Sequence, residues 1–249
     1  MYVVDGLIDI CNTCEINSVN SILANYFLIN AVNINNKRLI DVASETNISS
    51  SSINRFCKIA GFHTFSSFID TLYLDVKKIE NQLKHSFNHL DFKYISNKTK
   101  LDKMIDGINR ANNIVIYGSP KYTICFNSLV RYLFFNGKRV YQCRGWDVYE
   151  KENIFNILND NDLIIIIDPN YSIQIYFEEL ASSLGGINNI LNSKAKIYYL
   201  GIDEDDYKNV NAIKLVENEN YQYVLSSIDC QNYLIKGLME GNKYEYSDF

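Results

Sequence analysis

Leu163-Ile164-Ile165-Ile166-Ile167, five aliphatic residues in a row, constrain this 249-residue chain more than any other stretch. A strand with one wet face alternates apolar and polar residues; this run does not alternate, so both its faces must be covered. Such runs belong to the central strands of parallel sheets with helices on both sides. The surrounding sequence agrees. Residues 114–117, 139–142, 197–201 and 212–216 read as further short strands. Between and after them, 123–135, 154–158, 173–184 and 223–238 read as helices, the first ending at Asn136-Gly137. Strands alternating with helices imply a parallel sheet in a three-layer α/β sandwich, here expected over residues 101–249.

The first part of the chain has a different period. Residues 18–78 read as nearly all helix. Ile22, Leu23, Tyr26 and Phe27 line one helix and Leu39, Val42 and Ala43 the next; Phe65, Phe68, Ile69, Leu72, Tyr73 and Val76 line a later one. Within this block, LIDVASETNISSSSINRFCKIAGF, 39–62, reads as a helix-turn-helix. Ala43 is small where two helices approach. Asn47 falls where the turn needs a residue that tolerates positive φ. Ile48 is a hydrophobic plug, and Ser49 suits the N-cap of the second helix. Ile53 and Phe56 face inward at helical spacing, while Ser51, Arg55 and Lys58 fall on the opposite face with Asn54 beside them. Short hydroxyls, an amide and two cations suit phosphate oxygens and base edges, so this second helix is expected to lie in a DNA major groove. The expected division is an all-α DNA-binding domain over 1–80, a more polar connector over 81–100 and the α/β domain over 101–249.

Charge limits how such a chain can bind DNA. Its formal net charge is −5, which excludes a generic polyanion binder. Between Asn33 and His63, Lys37, Arg38, Arg55 and Lys58 outnumber Asp41 and Glu45. A basic patch this small predicts weak non-specific affinity and reliance on a dimer. The N-terminus lacks a cationic start, and Asp5 and Asp9 break its apolar run, so no secretory signal is expected. The longest apolar run is too short to span a bilayer, and a cytoplasmic location is expected. Cys11 and Cys14 form a lone C-x-x-C with no second pair and no histidine cluster nearby; zinc needs four ligands, so no metal or other cofactor is expected.

Ile48–Phe62, ISSSSINRFCKIAGF, resembles the RpiR/MurR-type transcription regulators of bacteria. The matching residues are Ser49, Ser52, Ile53, Arg55, Phe56, Lys58, Gly61 and Phe62. These regulators join an N-terminal helix-turn-helix domain to a C-terminal sugar isomerase (SIS) domain, and the order and length of the two halves here fit that plan. The resemblance implies two domains, the second SIS-like and flavodoxin-like. It implies a regulator of sugar metabolism or transport, a homodimer or homotetramer on a palindromic DNA operator, with a sugar-phosphate effector. Under it, Ser49, Ser50, Ser51, Ser52, Asn54, Arg55 and Lys58 become the DNA-contact candidates, flanked by Lys37 and His63.

In a sheet of this kind ligands bind outside the carboxyl ends of the strands, here the loops 118–123 and 168–173. Gly118, Ser119, Lys121, Thr123, Asn170 and Ser172 are the ligand candidates. The loops depart from the glycine- and serine-rich phosphate loops of SIS domains. Pro120 replaces a glycine and removes an N–H donor, and Asp168 sets negative charge where a phosphate would sit. The phosphosugar site is thus expected to be degenerate, leaving the half as an oligomerisation module or with an altered polar site. The alternatives are a sugar-phosphate isomerase-like enzyme and a ligand-free interaction protein. An isomerase needs a base near the sugar. His63, His85 and His89 all precede the α/β half, and Glu178 and Glu179 read as a solvated pair, so no catalytic residue is assigned.

Overall fold

The structure, a computed structural model, describes residues 2–86, 97–143, 152–180, 187–215 and 222–245. Two compact units are distinguished: Met1–Asn88 with Leu133–Arg139, and His89–Tyr132 with Val140–Phe249. Most of the expected connector, at 87–96, lies outside the described residues.

The described part of the first unit's main segment is helical. α1 (Val3–Thr13) and α2 (Val19–Ile29) pack against each other, and a 3₁₀ turn at Ala31–Asn36 leads to α3 (Leu39–Thr46), α4 (Ser50–Ile59) and α5 (Phe65–Ser86). α1 is not among the helices expected from sequence. Val4, Leu7 and Cys11 form its buried stripe, so Cys11 serves as a core residue and Cys14 follows the helix end half-buried. The Val3 N–H donates to Asp75 of α5, which satisfies one orphan donor at the start of α1. Phe27 is the hub of the core. Its ring lies 5.7 Å from Phe56 of α4 and 4.8 Å from Phe68 of α5, the latter edge-to-face.

The second unit is built on a five-stranded sheet in the order β2-β1-β3-β4-β5, with β1 (Asn113–Gly118), β2 (Arg139–Cys143), β3 (Leu163–Ile167), β4 (Lys196–Gly201) and β5 (Val210–Lys214). β1, β3, β4 and β5 pair in parallel. All five residues of β3 are buried, as its unbroken apolar run requires. α6 (Lys98–Arg110) precedes β1. After it come the short α7 (Pro120–Thr123), a 3₁₀ turn at Ile124–Phe126 and α8 (Asn127–Phe135), so the single helix expected over 123–135 is divided. Pro120 starts that segment early, since its fixed φ suits a first helical turn and its missing N–H would be unpaired there anyway. α9 (Glu152–Ile157) precedes β3. The helix expected over 173–184 is a short α10 (Ile173–Ile175) continuing into a π-helical turn at Tyr176–Leu180. α11 (Ile187–Asn192) and α12 (Gln222–Glu245) complete the described elements.

The strand order places the switch point between β1 and β3, because the chain leaves β1 toward β2 on one side and returns to β3 on the other. The register sets Gly118 opposite Ile167, so the two loops that follow start side by side. Gly118 has φ +155°, and a Cβ there would stand 2.5 Å from the Ile167 carbonyl oxygen. The glycine is needed for that close approach.

At the opposite end of the sheet Asp162 is completely buried. Its carboxylate accepts the backbone and side-chain N–H groups of Asn113, at 2.9 and 3.2 Å. It also accepts the backbone and side-chain N–H groups of Asn159, at 3.0 and 2.8 Å.

Candidate functional site

α3 and α4 are joined as the sequence pattern predicts. Asn47 adopts φ 56° and ψ 31°, the left-handed conformation that reverses the chain between the two helices. Ser49 is the N-cap of α4 and accepts the Ser52 N–H at 3.2 Å. Its hydroxyl also lies 2.9 Å from that of Ser51 and 3.0 Å from that of Ser52. Val42, Ile53 and Phe56 are buried. The far end of α4 is closed by Gly61 at φ +90°, with Gly61 N–H donating to Lys58 O and Phe62 N–H to Cys57 O. Phe62 then packs on Phe68, ring centroids 5.4 Å apart. α4 is thus fixed at both ends, and its outer face is presented by a rigid frame.

Because Asn47 sits in the left-handed region, Asn47→Val is expected to cost about 1–2 kcal/mol and Asn47→Gly little. Urea unfolding of the two variants checks this.

Ser49, Ser50, Ser51, Arg55, Lys58 and His63 are exposed, and Ser52 and Asn54 half-buried. Lys37 is engaged differently. Its ammonium meets both oxygens of Glu45, at 2.5 and 2.8 Å, and Glu45 also accepts the Tyr26 hydroxyl at 2.7 Å. Arg38 forms a two-point pair with Asp41, at 3.0 Å for each contact. That pair and the Arg38 backbone N–H pull the Asp41 carboxyl down to about 2. The two anions of the patch therefore neutralise Lys37 and Arg38. Among the described residues neither Arg55 nor Lys58 has an ion-pair partner. The excess positive charge of the patch thus rests on α4, opposite its buried stripe. The Glu45 and Asp41 pairings were not read from sequence; their spacings of eight and three residues were the available signal.

In the second unit the loops after β1 and β3 meet. Tyr122, buried, donates its hydroxyl to Asn170 Oδ1 at 2.7 Å. Lys121 is exposed and lies over the Tyr122 ring, 5.2 Å from its centroid. Thr123 is buried and Ser119 half-buried. The Tyr122 and Thr123 N–H groups both donate to the Ser119 carbonyl. In the second loop the Asn170 N–H donates to Asp168 Oδ1 at 3.0 Å and the Ile173 N–H to Asp203 Oδ2 at 2.5 Å. Ser172 caps the Ile175 N–H at 3.2 Å. The Tyr122, Thr123, Asn170, Ile173 and Ile175 N–H groups are thus engaged by the protein's own carbonyl, carboxylate and hydroxyl oxygens. Beneath the loops lie Tyr117, Tyr176 and Tyr199; the Tyr199 hydroxyl is shared between the Asp168 and Tyr171 carbonyls, 2.9 Å from each. Burial pushes the Asp168 carboxyl up and the Tyr117 phenol up to about 12. Tyr176, Tyr199 and Asp203 were not singled out from sequence, because what gathers them is the register of β1, β3 and β4.

Of the carboxylates considered for isomerase chemistry, Glu178 is exposed and hydrogen-bonded to Tyr207 at 3.0 Å. His89 and the side chains of His85 and Glu179 lie outside the described residues. Among the described residues no helix is long and apolar enough to cross a membrane, and no group of three or more His, Cys, Asp and Glu is placed to hold a metal ion.

Asp168 gives a pH prediction. Its carboxyl titrates higher in the fold than in the unfolded chain, so the native state carries a cost at neutral pH. Stability from this group falls as pH rises from the ordinary carboxylate range, about 3.9, through the raised native value. Asp168→Asn keeps an acceptor for the Asn170 N–H. It is expected to raise Tm at pH 7, with the difference vanishing below about pH 3.5. Melting curves from pH 3 to 8 check this.

No family model matches the chain, and no curated protein matches it. Solved structures are similar to it. NanR of Vibrio vulnificus, complexed with ManNAc-6P, shares 16% identity with a TM-score of 0.43 over 98% of this chain and 94% of that one. A sugar-phosphate isomerase candidate from Listeria monocytogenes shares 14% identity with a TM-score of 0.49 over 69% and 91%. The sugar isomerase domain of an RpiR transcription factor from Sphaerobacter thermophilus shares 13% with a TM-score of 0.43 over 69% and 89%. At these values none of them carries a ligand or an activity over to this chain.

Proposed function

We propose that the chain is a sequence-specific DNA-binding transcription regulator, α3 and α4 forming the helix-turn-helix and the α/β unit serving for effector binding and oligomerisation. The supporting observation is Arg55 and Lys58, without an ion-pair partner among the described residues, on the exposed face of α4, a helix fixed by left-handed Asn47 and the Ser49 cap. Cations paired internally contribute little to a DNA interface; unpaired ones on a rigid face are free to neutralise phosphates or read guanine edges. With so few cations per head, useful affinity needs two copies, so the acting species is a homodimer or homotetramer on a palindromic site. The resemblance of Ile48–Phe62 to the RpiR/MurR-type motif connects the regulator to sugar metabolism or transport.

Gel-shift and footprinting on DNA upstream of its own and neighbouring genes test this. The expected result is a protected palindrome whose half-sites lie one or more helical turns apart, about 10 base pairs each. Binding with no sequence preference at moderate salt overturns the reading. An isomerase reading draws on no observation of comparable weight.

A further inference from the structure

The last helix of the α/β unit, α12, is turned inside out near its start. Ser226 and Ser227 are buried, while Val224, Leu225 and Ile228 are 46%, 45% and 39% exposed. Further along the same helix the ordinary pattern returns: Leu234, Ile235 and Leu238 are buried, Lys236 is half-buried and Glu240 exposed. A helix face that meets only water carries polar residues. One that exposes large aliphatics and buries small hydroxyls is built to be covered.

These aliphatics have a neighbour on another element. The 3₁₀ turn at Ile124–Phe126 packs on α12, burying Phe126 and leaving Ile124 63% exposed. Gln231 Oε1 accepts the Leu129 N–H at 3.0 Å, which holds α12 to the helix that follows that turn. Ile124, Val224, Leu225 and Ile228 are half of the large hydrophobic side chains that the described part of this unit exposes. Together they offer on the order of 400 Å² of apolar surface, close to the apolar share of one side of a standard protein interface.

A second copy of this chain fits that surface. A palindromic operator needs two copies related by a two-fold axis, and such an axis sets one patch against its own copy. A charge near the axis would meet its own like, and the four side chains of this patch carry none.

We propose that two chains associate through this face, Leu225 and Ile228 of α12 packing on the same face of the second copy. The inference deepens the reading of the α/β unit as an oligomerisation module and rests on it.

Sedimentation velocity of the full chain, from nanomolar to micromolar concentration, tests this. The parent is expected to form a dimer or a larger even assembly at micromolar concentration. Leu225→Glu and Leu225→Lys are each expected to weaken association at least tenfold, because each sets like charges across the axis. Mixed in equal amounts they are expected to regain it, because the axis then pairs opposite charges. That recovery separates a self-interface from misfolding and from a docking site for another protein. Ile157→Glu, at an exposed position on α9, is the control and is expected to associate as the parent does. Three outcomes overturn the proposal: a parent that stays monomeric at micromolar concentration, an assembly that neither variant at 225 weakens, or one that both weaken without recovery on mixing. Footprinting of the parent separates the two readings. Selective protection of DNA by a chain that is monomeric in solution overturns this inference alone. Association as expected, with no sequence preference on DNA, overturns the DNA-binding reading alone.

Discussion

Asp162→Ala is expected to lower the stability of the α/β unit by at least about 3 kcal/mol, a drop in Tm on the order of 10 °C. The reason is the number of groups that depend on one carboxylate. Two backbone N–H groups and two side-chain amides converge on it from Asn113, at the start of β1, and Asn159, before β3. Each is a hydrogen bond to a carboxylate that is itself fully buried, and alanine leaves the donors without that partner. The same residue also ties the backbone, since the Asp162 N–H donates to the Asn159 carbonyl and the Asp162 carbonyl accepts the Lys196 N–H at the start of β4. Asp162→Asn keeps the shape but turns one acceptor into a donor facing donors, so it is expected to lose less than alanine and still be clearly destabilised. Urea unfolding followed by circular dichroism reads both. A loss below about 1 kcal/mol for alanine would mean that water reaches the site and replaces the carboxylate.

How far such features can be read from sequence depends on how local their cause is. β3 is legible because burial on both faces leaves no polar residue in 163–167. Asn47 and Ser49 are legible because a left-handed turn residue and an N-cap are chosen by chemistry within a few residues. α1 is not, because Asp5 and Asp9 read as interruptions of an apolar run. At helical period the same segment places Val4, Leu7 and Cys11 on one buried stripe, and the partner that closes its start, Asp75, lies 72 residues away. The loops after β1 and β3 show the same limit. Pro120 and Asp168 announce from sequence that the loops differ from phosphate cradles. That Asp203 takes the Ile173 N–H from 30 residues away, or that Tyr122 crosses to Asn170 over 48, follows only once the register of β1, β3 and β4 is set. The basic patch lies between these cases. Its composition shows a small excess of cations, but only the pairing of Lys37 with Glu45 and of Arg38 with Asp41 assigns that excess to α4.

That assignment makes the DNA-binding prediction sharp. Arg55→Ala is expected to weaken operator binding by about tenfold or more, and Lys58→Ala by less, because a guanidinium can make two-point contacts to guanine or phosphate that an ammonium cannot. Each removes one cation per head, so a dimer loses two. The slope of log K against log salt is then expected to become shallower by up to about 2 for each variant. Lys37→Ala should behave differently: its charge is already met by Glu45, so the slope should change little, and loss of the exposed pair is expected to cost under about 1 kcal/mol. Ser51→Ala, on the same exposed face, should lower affinity modestly without altering the slope, since a hydroxyl contact releases no counterion. Fluorescence anisotropy at several salt concentrations, with melting curves as the control for folding, measures all four variants. If Arg55→Ala and Lys58→Ala bind as the parent does while Lys37→Ala does not, the contact surface lies around α3 rather than on α4. If all four bind as the parent does, the helix pair is a structural hairpin and its serine-rich face is merely solvated.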